Sequence, residues 1–492
     1  MVLDAPRSPT QDLTADPAPR RLRDAWIALF GLSAVFLFEM LDNSILNVAL
    51  PTIGRDLNTS TSGLQWVTGA YSVAFGGLML LFGAIADRFG RRRVMLAGLV
   101  LLAVASFATV SVTTTDQLIA LRAIMGIAAA MTTPGSMALA FRLFDTDDLR
   151  VRAITVISTA GLVGLAVGPT AGGLVLAVSP WQVLLLVNVP IAVLAMIGIR
   201  LGVVADTHAD MHGDPIDVAG ALLDTATITA ALIAPTLFVG DGPGSWAPWA
   251  ATVTAVLAGI GFVLRQRTAR HPVLELRLIA LPLVSSGLAY RAAAGLAMAG
   301  LSYLVTLQLQ LAWGWPPALA AVGMLPQVVI LLASGRLVGP FVQRVGLDWA
   351  AGISATAVVA GLAVFGLLGR IGYGWVLLAL VLVAAGMRVV GVVVGTNVLR
   401  GLPEERTSTG AALVDTSGEL ATAIGIAATG TILTSLVAGS ITRTDWTMPA
   451  LAQFQGAVTV AALALTLTAA ALVTFGAIRS RTTTSNQEPT HV

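Results

Sequence analysis

The chain has 492 residues, of which 56% are hydrophobic and 11% charged. Soluble domains carry about 25% charge, and a mean hydropathy of +0.86 excludes a water-soluble globule of this length. With no cysteine, disulfides, thiolate metal sites and cysteine nucleophiles are excluded, and a formal net charge of +2 argues against a nucleic-acid partner.

Residues 1–24 are polar and end in RRLRD, which reads as a disordered cytoplasmic tail ahead of a retained first helix. A membrane helix needs about 20 mostly apolar residues. Fourteen such runs are expected, near 25–50, 63–86, 94–113, 117–141, 152–177, 181–204, 216–240, 247–265, 282–310, 317–340, 348–369, 374–399, 408–437 and 453–477.

Arginine placement tests the count, because all 28 basic residues are arginine. With the N-terminus inside, only Arg55, Arg370 and Arg443 fall in outer loops, and Arg122, Arg291, Arg336 and Arg388 fall within spans. The rest, including DRFGRRR and RQRTAR, lie inside, as the positive-inside rule requires. Both termini are therefore expected in the cytoplasm. The ten tryptophans lie near span ends or in outer loops, which predicts an interfacial belt.

Span 1 contains FEMLDNSILNVALP, Phe38 to Pro51. A carboxylate at the centre of a membrane helix costs on the order of 2.5–3.5 kcal/mol, so such groups face a cavity, pair or titrate. Glu39 and Asp42 are three apart and share a face, with Asn43 beside them. Burial and a neighbouring acid both disfavour the charged form, so one of the two is expected to carry a proton and release it when the cavity turns. Arg122 in span 4 is the expected counter-charge for Asp42. A static pair that only orients two helices is the alternative.

The loop after span 2 reads GAIADRFGRRRV, and the loop after span 10 reads GPFVQRVG. Glycine, arginine and glycine recur at the same offsets, with Gln343 in place of Asp87. The chain thus divides into six-helix halves, 25–204 and 282–477, separated by a linker and an inserted pair at 205–281 and followed by a tail at 478–492. An all-α membrane protein with two halves around a central cavity follows, the layout of one class of secondary transporters.

These motifs resemble the fourteen-helix drug:proton antiporter branch of the major facilitator superfamily, over about Ala25 to Arg479. GAIADRFGRRR matches the superfamily's helix 2–3 signature, LRAIMG (Leu121 to Gly126) resembles its helix 4 signature, and GLAVGPTAGG (Gly164 to Gly173) its exporter helix 5 signature. LDNSILNVALP and QWVTGAY (Gln65 to Tyr71) resemble the branch's helices 1 and 2. WQVLLLVNVP resembles its helix 6, but Gln182 stands where an arginine is usual, and no function is attached to it.

The resemblance implies a bacterial plasma-membrane exporter, acting as a monomer without cofactor, that exchanges protons for lipophilic drugs or antibiotics. A dedicated exporter of one metabolite, lipid or self-made antibiotic is the alternative. A receptor or a membrane-embedded enzyme is the remote one, since no cluster of nucleophile, base and metal ligands is visible. It also implies a gate built from Gly83, Asp87, Arg88, Gly90 and Arg91, with Asp87 latching onto the start of span 13 near Ser408 to Gly410. In span 5, Gly164, Gly168, Pro169, Gly172 and Gly173 provide close packing and a kink.

Further along, Asp415 and Glu419 lie four apart in span 13 and form a second expected proton-coupling pair. Arg291 and Arg388 could balance them or bind an anionic part of the cargo. Asn43, Asn47, Tyr71, Gln308 and Gln310 are candidate cargo contacts. Asp217 is expected to be a helix-end residue. DTHADMHGD (Asp206 to Asp214) places His208 and His212 four apart, but a solvated linker explains it better than a metal site. No glycine loop precedes a lysine, which argues against direct use of ATP.

Overall fold

A computed structural model describes residues 21–144, 146–206, 217–240, 242, 244–270, 276–402, 407–437 and 447–484. Among these the secondary structure is helical throughout, with no strand. The helices in chain order are α1 (Trp26–Asp56), α2 (Thr61–Phe89), α3 (Arg91–Ala108), α4 (Thr115–Arg142), α5 (Asp147–Leu176), α6 (Gln182–Leu186), α7 (Asn188–Gly202), α8 (Val218–Gly240) and α9 (Trp246–Thr268). They continue as α10 (Leu276–Ala280), α11 (Pro282–Leu307), α12 (Pro317–Ala333), α13 (Gly335–Val345), α14 (Leu347–Leu368), α15 (Tyr373–Gly401), α16 (Thr407–Leu436) and α17 (Met448–Thr484).

Helix starts follow local chemistry. Ser60 caps α2 by accepting from the Gly63 amide at 3.1 Å, and Thr114 and Gln117 form a capping box at α4. Pro282 and Pro317 open α11 and α12, where a missing amide costs nothing. The repeated loops end alike: Gly90 (φ +104°) and Gly346 (φ +85°) lie in backbone that favours glycine, and each immediately precedes a new helix, α3 and α14.

Among the described residues, ten helices are long and apolar enough to cross a bilayer, and up to twelve if each of two bent pairs is one span. The bent pairs are Gly63–Met79 with Leu81–Phe89, at 51°, and Pro317–Ala333 with Leu337–Val345, at 66°. The second bend falls at Ser334–Gly335, a pair that commonly marks a sharp kink. Shorter apolar stretches, Val218–Ala234 and Leu420–Leu436, lie at expected spans 7 and 13.

The helices fall into two packed groups. α1 packs on α5 and α7, α2 on α4, and α3 on α4 and α7. α11 packs on α15, α16 and α17, and α14 on α15 and α17. The groups meet along α2–α16 and α5–α12, with α8 seated on both α2 and α16. Burial grades the helices: 83% of the apolar stretch around α11 is buried against 17% for α9, so α9 is the lipid-facing partner of the hairpin.

One expectation is corrected. Trp181 is 2% exposed and donates its indole N–H to Asp56 at 2.7 Å, so it is a core residue and no part of a lipid-facing belt. A buried indole requires an acceptor, and Asp56 at the end of α1 supplies it. Trp26, Trp246, Trp249, Trp349 and Trp375 do face outward.

Candidate functional site

Close helix approach brings the site together. A Cβ at Gly164 would meet the Leu37 carbonyl, one at Gly168 would meet Ser44, and one at Gly172 would meet Ile45, so α5 lies directly on α1. Gly31 of α1 faces Gly198 of α7 in the same way. Small residues at such seams let helix backbones approach where lipid offers no hydrophobic drive.

Asp42, 0% exposed, stands at the centre. Its Oδ2 accepts from Arg122 Nη1 of α4 at 2.5 Å, and its Oδ1 accepts from Asn188 Nδ2 of α7 at 2.8 Å. Arg122, 1% exposed, also donates through Nε to the Val67 carbonyl at 3.3 Å. Its guanidinium lies over the Tyr71 ring, 4.4 Å from the centroid. A buried ion pair survives its desolvation cost only when further hydrogen bonds satisfy both partners, and here they do. Two helices besides α1, α4 and α7, thus converge on one carboxylate, and α2 holds its arginine. Glu39, one turn away and equally buried, accepts from the Thr133 hydroxyl of α4 at 2.6 Å.

Sequence reasoning named Glu39, Asp42, Arg122 and Tyr71, and the fold brings them together. It missed Asn188, Thr133 and the Val67 carbonyl. Asn188 carried a visible signal: a polar residue in an apolar run, two before Pro190, at the α6–α7 break. Thr133 and a backbone carbonyl carried none. Asn47 is buried one turn further along α1. The side chains of Asn43, Asp415 and Glu419 lie outside the described residues.

Two expected cargo contacts are spent elsewhere. Gln308 Nε2 donates to the Gly369 carbonyl at the end of α14, at 2.7 Å. Gln310 Nε2 donates to the Val48 carbonyl at 3.1 Å and ties the turn after α11 to α1. Both follow from the π-helical turn at Gln308–Ala312, which rotates these amides off the face that α11 alone would give them. Arg291 lies against Gly418 of α16, and Arg388 against Gly335 at the α12–α13 bend, where a Cβ would collide with each guanidinium.

Around the repeated loop, Asp87 pairs with Arg91 at 2.7 Å, one turn away. Arg88 stacks on Phe89, 5.9 Å from the centroid. Gly83 packs on Pro134, while Gly90 packs on Asp206, whose carboxylate accepts from the Arg92 amide at 3.0 Å and pairs with Arg142 at 3.3 Å. Asp206 therefore anchors the loop, whereas His208 and His212 lie outside the described residues. Asp217 starts α8, accepts from the Gly220 amide at 3.1 Å and pairs with Arg265 at 2.9 Å.

Among the described residues, the bonds joining the two groups cluster at the side opposite this loop. Gln65 Nε2 donates to Thr431 Oγ1 at 2.9 Å and to the Ala427 carbonyl at 3.3 Å, and Gln65 Oε1 accepts from Thr434 at 3.4 Å. Thr170 donates to the Ala321 carbonyl at 3.4 Å, and Gly173 touches the α12 backbone at Pro317. With Gln310–Val48, these join the groups on that side, while the pairs of Asp87 and Asp206 stay within the first group and that of Asp217 within the hairpin.

The family model described as the Major Facilitator Superfamily matches residues 32–426. The chain belongs to that superfamily. The cephamycin export protein CmcT of Amycolatopsis lactamdurans is 30% identical over 430 residues, covering 85% of this chain and 86% of the relative. The multidrug efflux pump LfrA of Mycolicibacterium smegmatis is 27% identical over 427 residues, covering 85% and 82%. A bacterial homologue of the human lysosomal transporter Spinster, solved in an inward-facing, unoccupied conformation, shares the fold. Its TM-score is 0.64 at 15% identity, covering 93% of this chain and 97% of that one.

Proposed function

We propose that this superfamily member is a proton-coupled exporter of lipophilic drugs or antibiotics, working by alternating access in the plasma membrane. The observation that carries the reading is the Asp42–Arg122 pair, buried among transmembrane helices with Glu39 one turn away. Protonation of Asp42 neutralises it and releases Arg122 to the Val67 carbonyl and Tyr71, so a proton and a cationic group compete for one carboxylate. The names of the relatives, a multidrug efflux pump and a cephamycin export protein, support small-molecule export as the task.

The side bearing Asp87 and Asp206 is cytoplasmic on this reading, which the arginine bias supports. The two halves, 25–204 and 282–477, rock about the site, with the hairpin in 205–281 between them. The conformation described is closed outside: its inter-group bonds each contribute about 0.5–1.5 kcal/mol net. That is within reach of the few kcal/mol by which a ligand can bias such an equilibrium. When the halves rock the other way, Asp87 leaves Arg91 for the start of α16 and latches the cytoplasmic side. Arg291 and Arg388 then serve cargo with anionic or hydrogen-bonding groups, and Asp415 and Glu419 form the second proton-binding pair.

Inside-out vesicles with an imposed acid-inside gradient test this. Addition of lipophilic cations is expected to collapse the gradient, and Asp42→Asn and Glu39→Gln to reduce the collapse at unchanged expression. Compounds that move without dissipating the gradient would sink the coupling.

A further inference from the structure

Asn188 opens α7 directly after the break from α6 and is 0% exposed. The seam between α1 and α7 fixes its place: Cβ atoms at Gly31 and Gly198 would collide with the opposite backbone, and one at Gly202 with Ala28. Its Nδ2 donates to Asp42 Oδ1 at 2.8 Å. Its Oδ1 is buried and has no hydrogen-bond partner among the described residues. A buried carbonyl left without a donor is an exception that calls for a reason. Gln65 is the opposite case, since its Nε2 donates to Thr431 and the Ala427 carbonyl while its Oε1 accepts from Thr434. Turning that amide over would break bonds at both ends. Turning Asn188 over would break only the bond to Asp42, and the two ends of an amide are so alike in size that the turn needs no new room.

The two oxygens of Asp42 are unequal. Oδ2 faces Arg122 Nη1 at 2.5 Å, and a guanidinium offers donors only. A proton on Oδ2 would therefore point at another donor, which leaves Oδ1 as the place for it. The hydroxyl of a neutral acid still needs an acceptor where no water is at hand. The other titratable groups nearby are Glu39, which accepts from Thr133, and Tyr71, which lies under the Arg122 guanidinium. α5 between Gly161 and Gly173, α7 between Asn188 and Gly198, α6 and α12 bring no charged side chain, and Arg291 of α11 lies against Gly418 of α16. The acceptor that stands at Asp42 Oδ1 is the far end of the Asn188 amide.

We propose that the Asn188 amide turns over with the charge on Asp42: Nδ2 faces the carboxylate, and Oδ1 faces the neutral acid and accepts from its hydroxyl. Asn188 is thus a positioning residue, which fixes the proton on Oδ1, away from Arg122, and serves both states of the acid with one side chain. The inference rests on Asp42 as the proton site proposed above, and adds the group that lets Asp42 change charge without leaving Oδ1 unpaired.

The experiment uses the full chain in phosphatidylcholine vesicles, with asparagine labelled at its side-chain carbonyl carbon, and reads infrared difference spectra between alkaline and acidic buffer. In wild-type protein the acid step is expected to bring up the C=O band of a neutral carboxyl that Asp42→Asn lacks. Together with it, one labelled amide band should move to lower wavenumber, because Asn188 Oδ1 gains a donor. That movement should vanish in Asn188→Leu and in Asp42→Asn, whose added amide does not titrate and cancels. Drug-driven collapse of the pH gradient is expected to fall about tenfold in Asn188→Leu. Asn188→Thr, whose hydroxyl both donates and accepts, should lose the amide band but keep part of the collapse, and it keeps the test open if the leucine variant fails to fold. An Asp42 carboxyl band without the amide movement, or a movement that survives Asp42→Asn, overturns the proposal and leaves Asp42 as the proton site. Absence of any Asp42 band overturns the proton site and this proposal with it.

Discussion

α1 and α11 open the two helix groups and differ in what they bury. The offset that carries Gly83 onto Gly339 also carries Glu39 onto Gly295 and Asp42 onto Met298. Where α1 presents two carboxyls, α11 presents a buried methionine and a glycine lying against the Gly418 carbonyl of α16. The repeat thus preserves the scaffold, down to glycines of positive φ at both turns, and of the two opening helices only α1 carries an acid pair. A turn is set by backbone sterics, which any copy must satisfy, whereas a buried charge is costly and is kept only where it has partners.

The largest way to break this asymmetry is to remove one partner of the pair. Asp42→Ala leaves Arg122 buried without a counter-charge, and a loss of about 3–5 kcal/mol is expected. Thermal unfolding in detergent reads it, and a double substitution of both residues to leucine is expected to recover much of that stability. Preserved stability in Asp42→Ala would show that Arg122 has another anion.

Next comes the seam with α5. Gly168→Leu puts a side chain where Ser44 of α1 lies and pushes the helix that carries Asp42, at an expected cost of about 1–3 kcal/mol for overpacking. Transport should fall with stability, whereas the same change at Gly352, whose Cβ meets nothing within 4 Å, should leave both intact.

Gln65→Ala sharpens the comparison at the closed side by removing amide bonds to three residues of α16. A loss of about 1–2 kcal/mol from that closure is expected, so the open state gains roughly tenfold in population. Because the chain has no cysteine, single cysteines introduced behind the gate report this directly as faster thiol labelling. An unchanged rate would mean that Gln310 and Thr170 carry the closure.

The smallest effect is expected in the hairpin. Thr225 of α8 donates to the Gly77 carbonyl of α2 at 2.5 Å. Thr225→Val should cost about 1 kcal/mol with little change in transport. Asp224 beside it is 7% exposed, and nothing in the structure explains its carboxyl.

Much of the fold was legible because lipid imposes simple rules. Apolar run length gave the helical membrane class, and GAIADRFGRRRV against GPFVQRVG gave the repeat. The site was legible in part: Glu39, Asp42 and Arg122 stood out because a charge in an apolar run is expensive wherever it points. Gln308 and Gln310 were misleading for the opposite reason, since a neutral amide in a helix can satisfy itself on any nearby carbonyl, and a π-turn redirected both.

The sequence by itself determined the membrane class, the helix scaffold and the short list of buried charges, because each follows from the cost of polar groups in hydrocarbon. Only the tertiary structure decided the pairing. Asn188 and Thr133 became ligands of the acids, Trp181 turned into the core, and Gln65 joined the two groups. Such contacts depend on which helix faces meet, and a neutral side chain's partner is set by that meeting and not by its neighbours in the chain.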